Sequence, residues 1–151
     1  YESLDDAAHS IFLVILRHNN KHLLRKRKVQ PLIDYVGFIH GEPVANESLT
    51  ITVQKRILKK TGLEIKEMNI HGSGLIRMQR DGELQSFSHA IIIEATVSSD
   101  ELPVLNDETG ENFWIDKVHT NPIDKLIPST RDIIAFAEDV SIRWFDWTYK
   151  L

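Results

Sequence analysis

No cysteine occurs among the 151 residues, which excludes disulfides, thiolate metal centres and cysteine nucleophiles. Long apolar runs are missing too: Ile11 to Leu16 and Ala90 to Ile93 are among the longest, far short of what a bilayer span needs. No basic segment followed by an apolar stretch opens the chain, so nothing reads as an export signal. Positive charge is not in excess. A net charge of −4 gives the molecule as a whole no attraction for nucleic acid or an anionic membrane. Internal repeats and low-complexity segments are absent as well. These absences fit a cytoplasmic setting. The chain begins on Tyr1 rather than Met, so its numbering is expected to start inside a longer product.

What is present is the composition of an ordinary folded domain, 42% hydrophobic and 26% charged. Residues 1–8 read as a lead-in, 9–147 as a single domain and 148–151 as a tail. HSIFLVILRH, residues 9–18, is apolar and β-branched enough for a buried strand. Asn19-Asn20-Lys21 then supplies a turn and HLLRKRK returns, predicting a hairpin over 9–28. YVGFI at 35–39 suggests a short strand ending at Gly41. Leu49, Val53 and Ile57 follow at helical spacing, Ile51 and Leu58 widen the face, and Gly62 stands where a helix-ending glycine belongs. Long strands at roughly 68–78 and 84–97 are joined through Asp81-Gly82, a strong hairpin pair. Gly72 and Gly74 mark a bulge rather than a phosphate loop, since no Lys-Ser/Thr follows them.

A polar loop then leads to the strand FWID, and Pro128-Ser129 opens a last helix with Asp132 at capping-box spacing. Ile133, Ala137, Val140, Trp144 and Trp147 recur at intervals of 4, 3, 4 and 3. That spacing carries the helix past residue 140 and sets both indoles against an apolar surface, either the core or a second copy in a homodimer. The element order predicts an α+β fold, a mixed sheet sandwiched between helices.

One stretch carries more than fold. Gly41 is followed by five residues, Glu47, seven residues, then Lys55-Arg56-Ile57-Leu58-Lys59-Lys60-Thr61-Gly62-Leu63. This resembles the box of the Nudix hydrolases: G, five residues, E, seven residues, then R-E-U-x-E-E-x-G-U, with U a bulky aliphatic. Gly41, Glu47, Ile57, Gly62 and Leu63 match in type, every spacing holds, and Lys55 keeps the charge of the family arginine. A strand ending at Arg27, two long strands after the box, and ETGENFWID near the family's late acidic loop extend the likeness over about residues 9–140. The resemblance implies a Nudix-type fold and ligands that are nucleoside diphosphates linked to another group.

The box breaks where its chemistry lies. The positions of the family's core glutamates hold Arg56, Lys59 and Lys60, which share one helical face. In the family that face offers carboxylate oxygens to Mg²⁺, whereas lysine and arginine have no lone pair for a metal. A divalent cation 4 Å from one ammonium is repelled by about 8 kcal/mol at an effective dielectric of 20. Metal-dependent hydrolysis through this helix is therefore not expected, and no cofactor is predicted. Mg²⁺ would enter only if Asp34, Glu42, Glu94, Asp107, Glu108 or Glu111 rebuilt a site. By resemblance, the catalytic candidates are Glu47 and, in the late loop, Glu108 or Glu111; the plainer reading makes the loop acids solvated surface groups.

The basic face admits two readings. Arg56, Lys59 and Lys60, with Gly41 and the strand residues Arg25 and Arg27, bind phosphate directly, or the face is merely solvated and favoured by the helix dipole. His40 stands where the family usually has a second glycine and reads as structural filling. Three functions stay open: a binder or sensor of a nucleotide or other phosphorylated small molecule, a hydrolase with a relocated metal site or divergent mechanism, and an interaction domain of a larger regulator.

Overall fold

The computed structural model describes residues 7–98, 105–138 and 144–151. In chain order the elements are β1 (His9–His18), β2 (Lys21–Arg27), β3 (Val36–Gly37), β4 (Ile39–Gly41), α1 (Leu49–Thr61), β5 (Ile65–Arg80), β6 (Glu83–Val97), β7 (Gly110–Asp116), α2 (Lys117–Thr120), α3 (Thr130–Glu138) and β8 (Trp144–Lys150).

The β1–β2 hairpin forms as the sequence predicts, turning at Asn19 with φ +55°, a conformation asparagine tolerates. Its register pairs are Arg17↔His22 and His18↔Lys21, next to the turn. From there the two strands take different partners. β1 runs between parallel β6 and antiparallel β4, while β2 runs between antiparallel β7 and β3. The stretch expected as one strand at 35–39 is consequently two, on either side of Phe38, because the chain leaves β2 to reach β1.

β5 and β6 form the long hairpin, longer than predicted, with Asp81 and Gly82 both at positive φ in its tight turn. The predicted bulge is there as a register shift between Ile70 and Gly72. Gly74 is required by proximity: a Cβ on it would stand 2.1 Å from the Phe145 carbonyl oxygen of β8.

α1 starts at Ser48, whose hydroxyl accepts from Ile51 N at 3.3 Å, and ends at left-handed Gly62. Its buried residues are Thr52, Val53, Ile57 and Thr61. Ile51 and Leu58, expected to widen the apolar face, are 43% and 49% exposed. The threonines can take inner positions because Thr52 Oγ1 donates to Glu47 and to Ser48 O, and Thr61 Oγ1 to Ile57 O.

The sequence expectation fails at the C-terminal end. α3 is described as far as Glu138, Val140 lies outside the described residues, and Trp144 and Trp147 belong to strand β8, parallel to β5. Alternation with period 2 replaces the helical stripe: Phe145 is buried, Trp147 and Tyr149 are half-buried on its side, and Trp144 is 57% exposed on the other. Trp147 stacks on Phe145 with ring centroids 4.0 Å apart and meets Phe136 of α3 edge-on. Tyr149 donates to Asp132 Oδ2 at 2.5 Å, so the acid at the capping-box spacing is engaged by β8. Residues 148–150, read from sequence as tail, lie within this strand.

Strand alternation sends successive β1 residues to opposite faces. Ile15 joins Ile76, Ile92, Ile133 and Phe136 in the core under α3. Phe12, Val14 and Leu16 join Val53, Ile57 and Ile93 under α1. The mixed sheet thus lies between helices, as expected. Among the described residues no helix is long and apolar enough to cross a membrane.

Candidate functional site

The split between the β1 and β2 halves of the sheet opens a concavity whose inner end is the β3–β4 junction. Phe38 and His40 come from that junction, Arg25 and Arg27 from β2, and Arg56, Lys59 and Lys60 from the C-terminal half of α1. A cavity of about 200 Å³ is lined by Arg25, Arg27, His40, Arg56, Lys60 and Thr109, among others. A neighbouring hollow on the other side of His40 takes in Gly41, Glu47, Thr52, Lys55, Arg56 and Lys59. All the ligand-binding candidates read from the sequence border one or the other.

Their charges are not equally available. Asp107 accepts from Arg25 Nη2 at 2.5 Å and from Lys60 Nζ at 3.3 Å. It also accepts from the Thr109 hydroxyl and from the amides of Thr109 and Gly110. This cradle, led by Thr109, holds its carboxyl well below the ordinary aspartate range. Asn112 completes the junction, accepting from Arg25 Nη1 at 2.9 Å and donating to Lys60 O at 2.7 Å. Arg25 and Lys60, with side chains only 11% and 13% exposed, thus bolt the late loop to α1.

Arg27, Arg56 and Lys59 differ. Arg27 Nε donates to Pro31 O at 2.7 Å and Arg56 Nε to His40 O at 3.0 Å. Lys59 is exposed. Among the described residues no carboxylate pairs with any of the three. Burial and the nearby Arg25 lower the Arg27 pKa, but an arginine stays charged at neutral pH.

His40 sits between these cations. Its side chain reaches solvent, yet protein walls surround it. Lost hydration, then repulsion from Arg27 and Arg56, lowers its pKa from 6.5 to about 4, against an opposing pull from Glu42. At neutral pH it is an uncharged imidazole. Gly41 is buried beside it for packing reasons: a Cβ would lie 2.5 Å from Phe12 Cζ.

The carboxylates do not gather. Glu47 accepts from Lys55 Nζ at 2.5 Å and Thr52 Oγ1 at 2.8 Å, and the Lys55 bond leads the causes that lower its pKa. Asp34 pairs with Lys26, Glu42 with His9, Glu94 with Arg17 and His71, and Glu111 with Lys28. Glu108 is exposed on the loop. Among the described residues no three His, Asp or Glu side chains converge in a way that could hold a metal ion. The cations facing the concavity have no lone pair for Mg²⁺, and the two carboxylates that border its outer hollow, Glu42 and Glu47, are tied to His9 and to Lys55 and Thr52.

A further cavity, about 300 Å³, opens from the same mouth on the α3 side of the sheet and shares Arg27, Phe38, His40 and Ile127 with the cationic one. Sequence reasoning missed it, because its walls come from separate elements that meet only in the fold.

Solved structures resemble this chain throughout. The mMutator MutT protein of Bacillus halodurans is 19% identical with a TM-score of 0.68, over 93% of this chain and 90% of that one. The Nudix domain of NrtR from Shewanella oneidensis, solved with ADP ribose, is 17% identical with a TM-score of 0.70, over 91% and 92%. A MutT Nudix hydrolase of Burkholderia pseudomallei is 18% identical with a TM-score of 0.69, over 86% and 98%. No family model and no curated protein matches the sequence. The chain has the Nudix fold, an α+β architecture with a mixed sheet between helices.

Proposed function

We propose that this Nudix-fold chain binds a phosphorylated small molecule, a nucleotide or another phosphorylated compound, and does so with side-chain cations instead of a metal. The observation that carries this is the arrangement of Arg27, Arg56 and Lys59 around His40, with no carboxylate among the described residues paired to any of them. Unpaired cations lining a concavity favour an anion. Arginine suits phosphate because its planar fork can donate two hydrogen bonds to one phosphoryl group.

The NrtR domain, a structural neighbour, holds ADP ribose, which supports a ligand with a phosphate portion. A sensor or binder accounts for a box helix that carries cations where a Nudix hydrolase would need carboxylates. The remaining box acid, Glu47, is tied to Lys55 and Thr52.

A thermal-shift series with inorganic pyrophosphate, ADP and ADP ribose, each with and without Mg²⁺, tests the reading. The melting temperature should rise with phosphorylated compounds, and Mg²⁺ should not be required. Turnover of ADP ribose that needs Mg²⁺ and is abolished in Glu47→Gln would overturn it in favour of a hydrolase.

A further inference from the structure

The floor of the 300 Å³ cavity is built from alternate residues of three strands: Ile11 and Leu13 of β1, Ile76 and Met78 of β5, Ser86 and Ser88 of β6. Ile127, Ser129, Thr130 and Ile133, leading into and along α3, form the opposite wall, and Phe38 stands at the mouth. At that mouth lie Arg27 and His40, shared with the cationic cavity.

Resting on the phosphate-binding reading, we infer that the group attached to the phosphate is an uncharged hydrocarbon and not a nucleobase. A base presents a row of donors and acceptors that must be matched when water is removed. Proteins match them with amides, carboxylates, arginine or unpaired backbone. The floor backbone is committed on both sides at its centre, while Ser86 and Ile11 at its edge have one strand partner each. Ile76 pairs with Ser88 and with Trp147, Met78 with Ser86 and with Tyr149, and Leu13 with Ile92 and with His40. The side chains of the floor and of the α3 wall are aliphatic, thioether or hydroxyl, with no amide or carboxylate among them.

The one carboxylate at the cavity, Glu42, lies at the mouth and is hydrogen-bonded to His9 Nε2 at 2.6 Å. Serine and threonine hydroxyls can each meet a single polar atom but cannot read an edge. Apolar walls reward hydrocarbon with a gain that grows with the area buried. The volume is also at the small end for ligand cavities, which suits a short chain or single ring better than a dinucleotide.

Titration calorimetry with probes that share one head group tests this: inorganic pyrophosphate, a five-carbon alkyl diphosphate and ADP. The alkyl diphosphate should bind about tenfold tighter than pyrophosphate, equivalent to about 1.4 kcal/mol, while ADP gains little over pyrophosphate. Filling the floor with Ser88→Phe, or with the milder Ser86→Leu should the first not fold, should erase the alkyl gain and leave pyrophosphate affinity unchanged. An alkyl probe no tighter than pyrophosphate, or ADP the tightest of the three, overturns the hydrocarbon assignment alone. Pyrophosphate that fails to bind at all overturns the phosphate-binding reading and this inference with it.

Discussion

Arg56 of α1 donates through Nε to the carbonyl oxygen of His40, 3.0 Å away on β4. A backbone carbonyl facing a helix that carries carboxylates is a ready oxygen ligand for a hard cation. Here the carbonyl is met by a guanidinium, a cation held covalently by the chain, whose remaining N–H groups are directed to whatever else enters the concavity. Restoring acid at this point should convert one preference into the other. The triple substitution Arg56→Glu, Lys59→Glu, Lys60→Glu should abolish pyrophosphate binding and produce Mg²⁺-dependent thermal stabilisation. Calorimetry with each ion separately is the measurement, and pyrophosphate affinity equal to that of the wild type would return the basic face to mere solvation.

Lys59 and Lys60 are adjacent but should behave differently. Lys59 is exposed and pairs with no carboxylate among the described residues, so Lys59→Glu should change stability by no more than about 0.5 kcal/mol. Its effect should appear in ligand affinity, at about 1–3 kcal/mol for a charged hydrogen bond lost. Lys60→Glu places a carboxylate against Asp107 and should lower the melting temperature before any ligand is added. Denaturant melts of both variants, with and without pyrophosphate, separate the roles, and raising the salt concentration should weaken binding in the wild type.

Acid should destabilise the protein through histidine before most carboxylates titrate. His22 is 2% exposed and meets Thr120 Oγ1 at 3.0 Å. Burial first, then Arg17, lowers its pKa from 6.5 to about 4, with Asp116 opposing. Between those values the unfolded chain binds a proton that the folded chain refuses. The stability is therefore complete above pH 6.5 and is lost as the pH falls towards 4, by about 3 kcal/mol in all. His22→Gln should flatten the melting temperature across that window; an unchanged slope would assign the acid sensitivity elsewhere.

Ligand affinity should move the opposite way. An anion beside His40 favours the imidazolium, so binding raises its pKa from about 4 and takes up protons. Pyrophosphate titrates over the same range in every protein, so the His40 contribution is the difference: as the pH is lowered from 7 to about 5, wild-type affinity should rise relative to that of His40→Asn.

The two tryptophans of β8 should part company. Trp147→Ala removes a ring stacked on Phe145 and should cost about 3 kcal/mol, as for other aromatic truncations in packed sites. Trp144 is 57% exposed, and Trp144→Ala should be close to neutral in dilute solution. A cost that grows with protein concentration would instead show that a second copy covers the indole.

What could be read in the sequence was local. α1 was legible because its signals are all nearby: Ser48 at its start, Val53 and Ile57 one turn apart, Gly62 at its end. The β5–β6 hairpin was legible from Asp81-Gly82 for the same reason. Trp144 and Trp147 misled because an interval of three fits a helical face, whereas in a strand it only sets the two rings on opposite sides. The alternation of Phe145, Trp147 and Tyr149 was there to be weighed against it. The division of the cations was not legible at all. Arg25 and Lys60 lie 35 residues apart, and only the fold brings Asp107 between them while pairing no described carboxylate with Arg27, Arg56 or Lys59.

That division gives the concavity a direction. Arg25 and Lys60 line the cationic cavity but are shielded by Asp107, whereas among the described residues no carboxylate pairs with Arg27 or Arg56. Arg27 also stands where that cavity joins the uncharged chamber under α3. A molecule with a charged head and a neutral tail would lie across this boundary in only one orientation. Reversing it would strand the head among Ile76, Met78 and Ile133 and present the tail to guanidinium groups. On the proposed reading the fold would sort ligands by polarity along their length, and a compound charged at both ends would have no way to lie down in it.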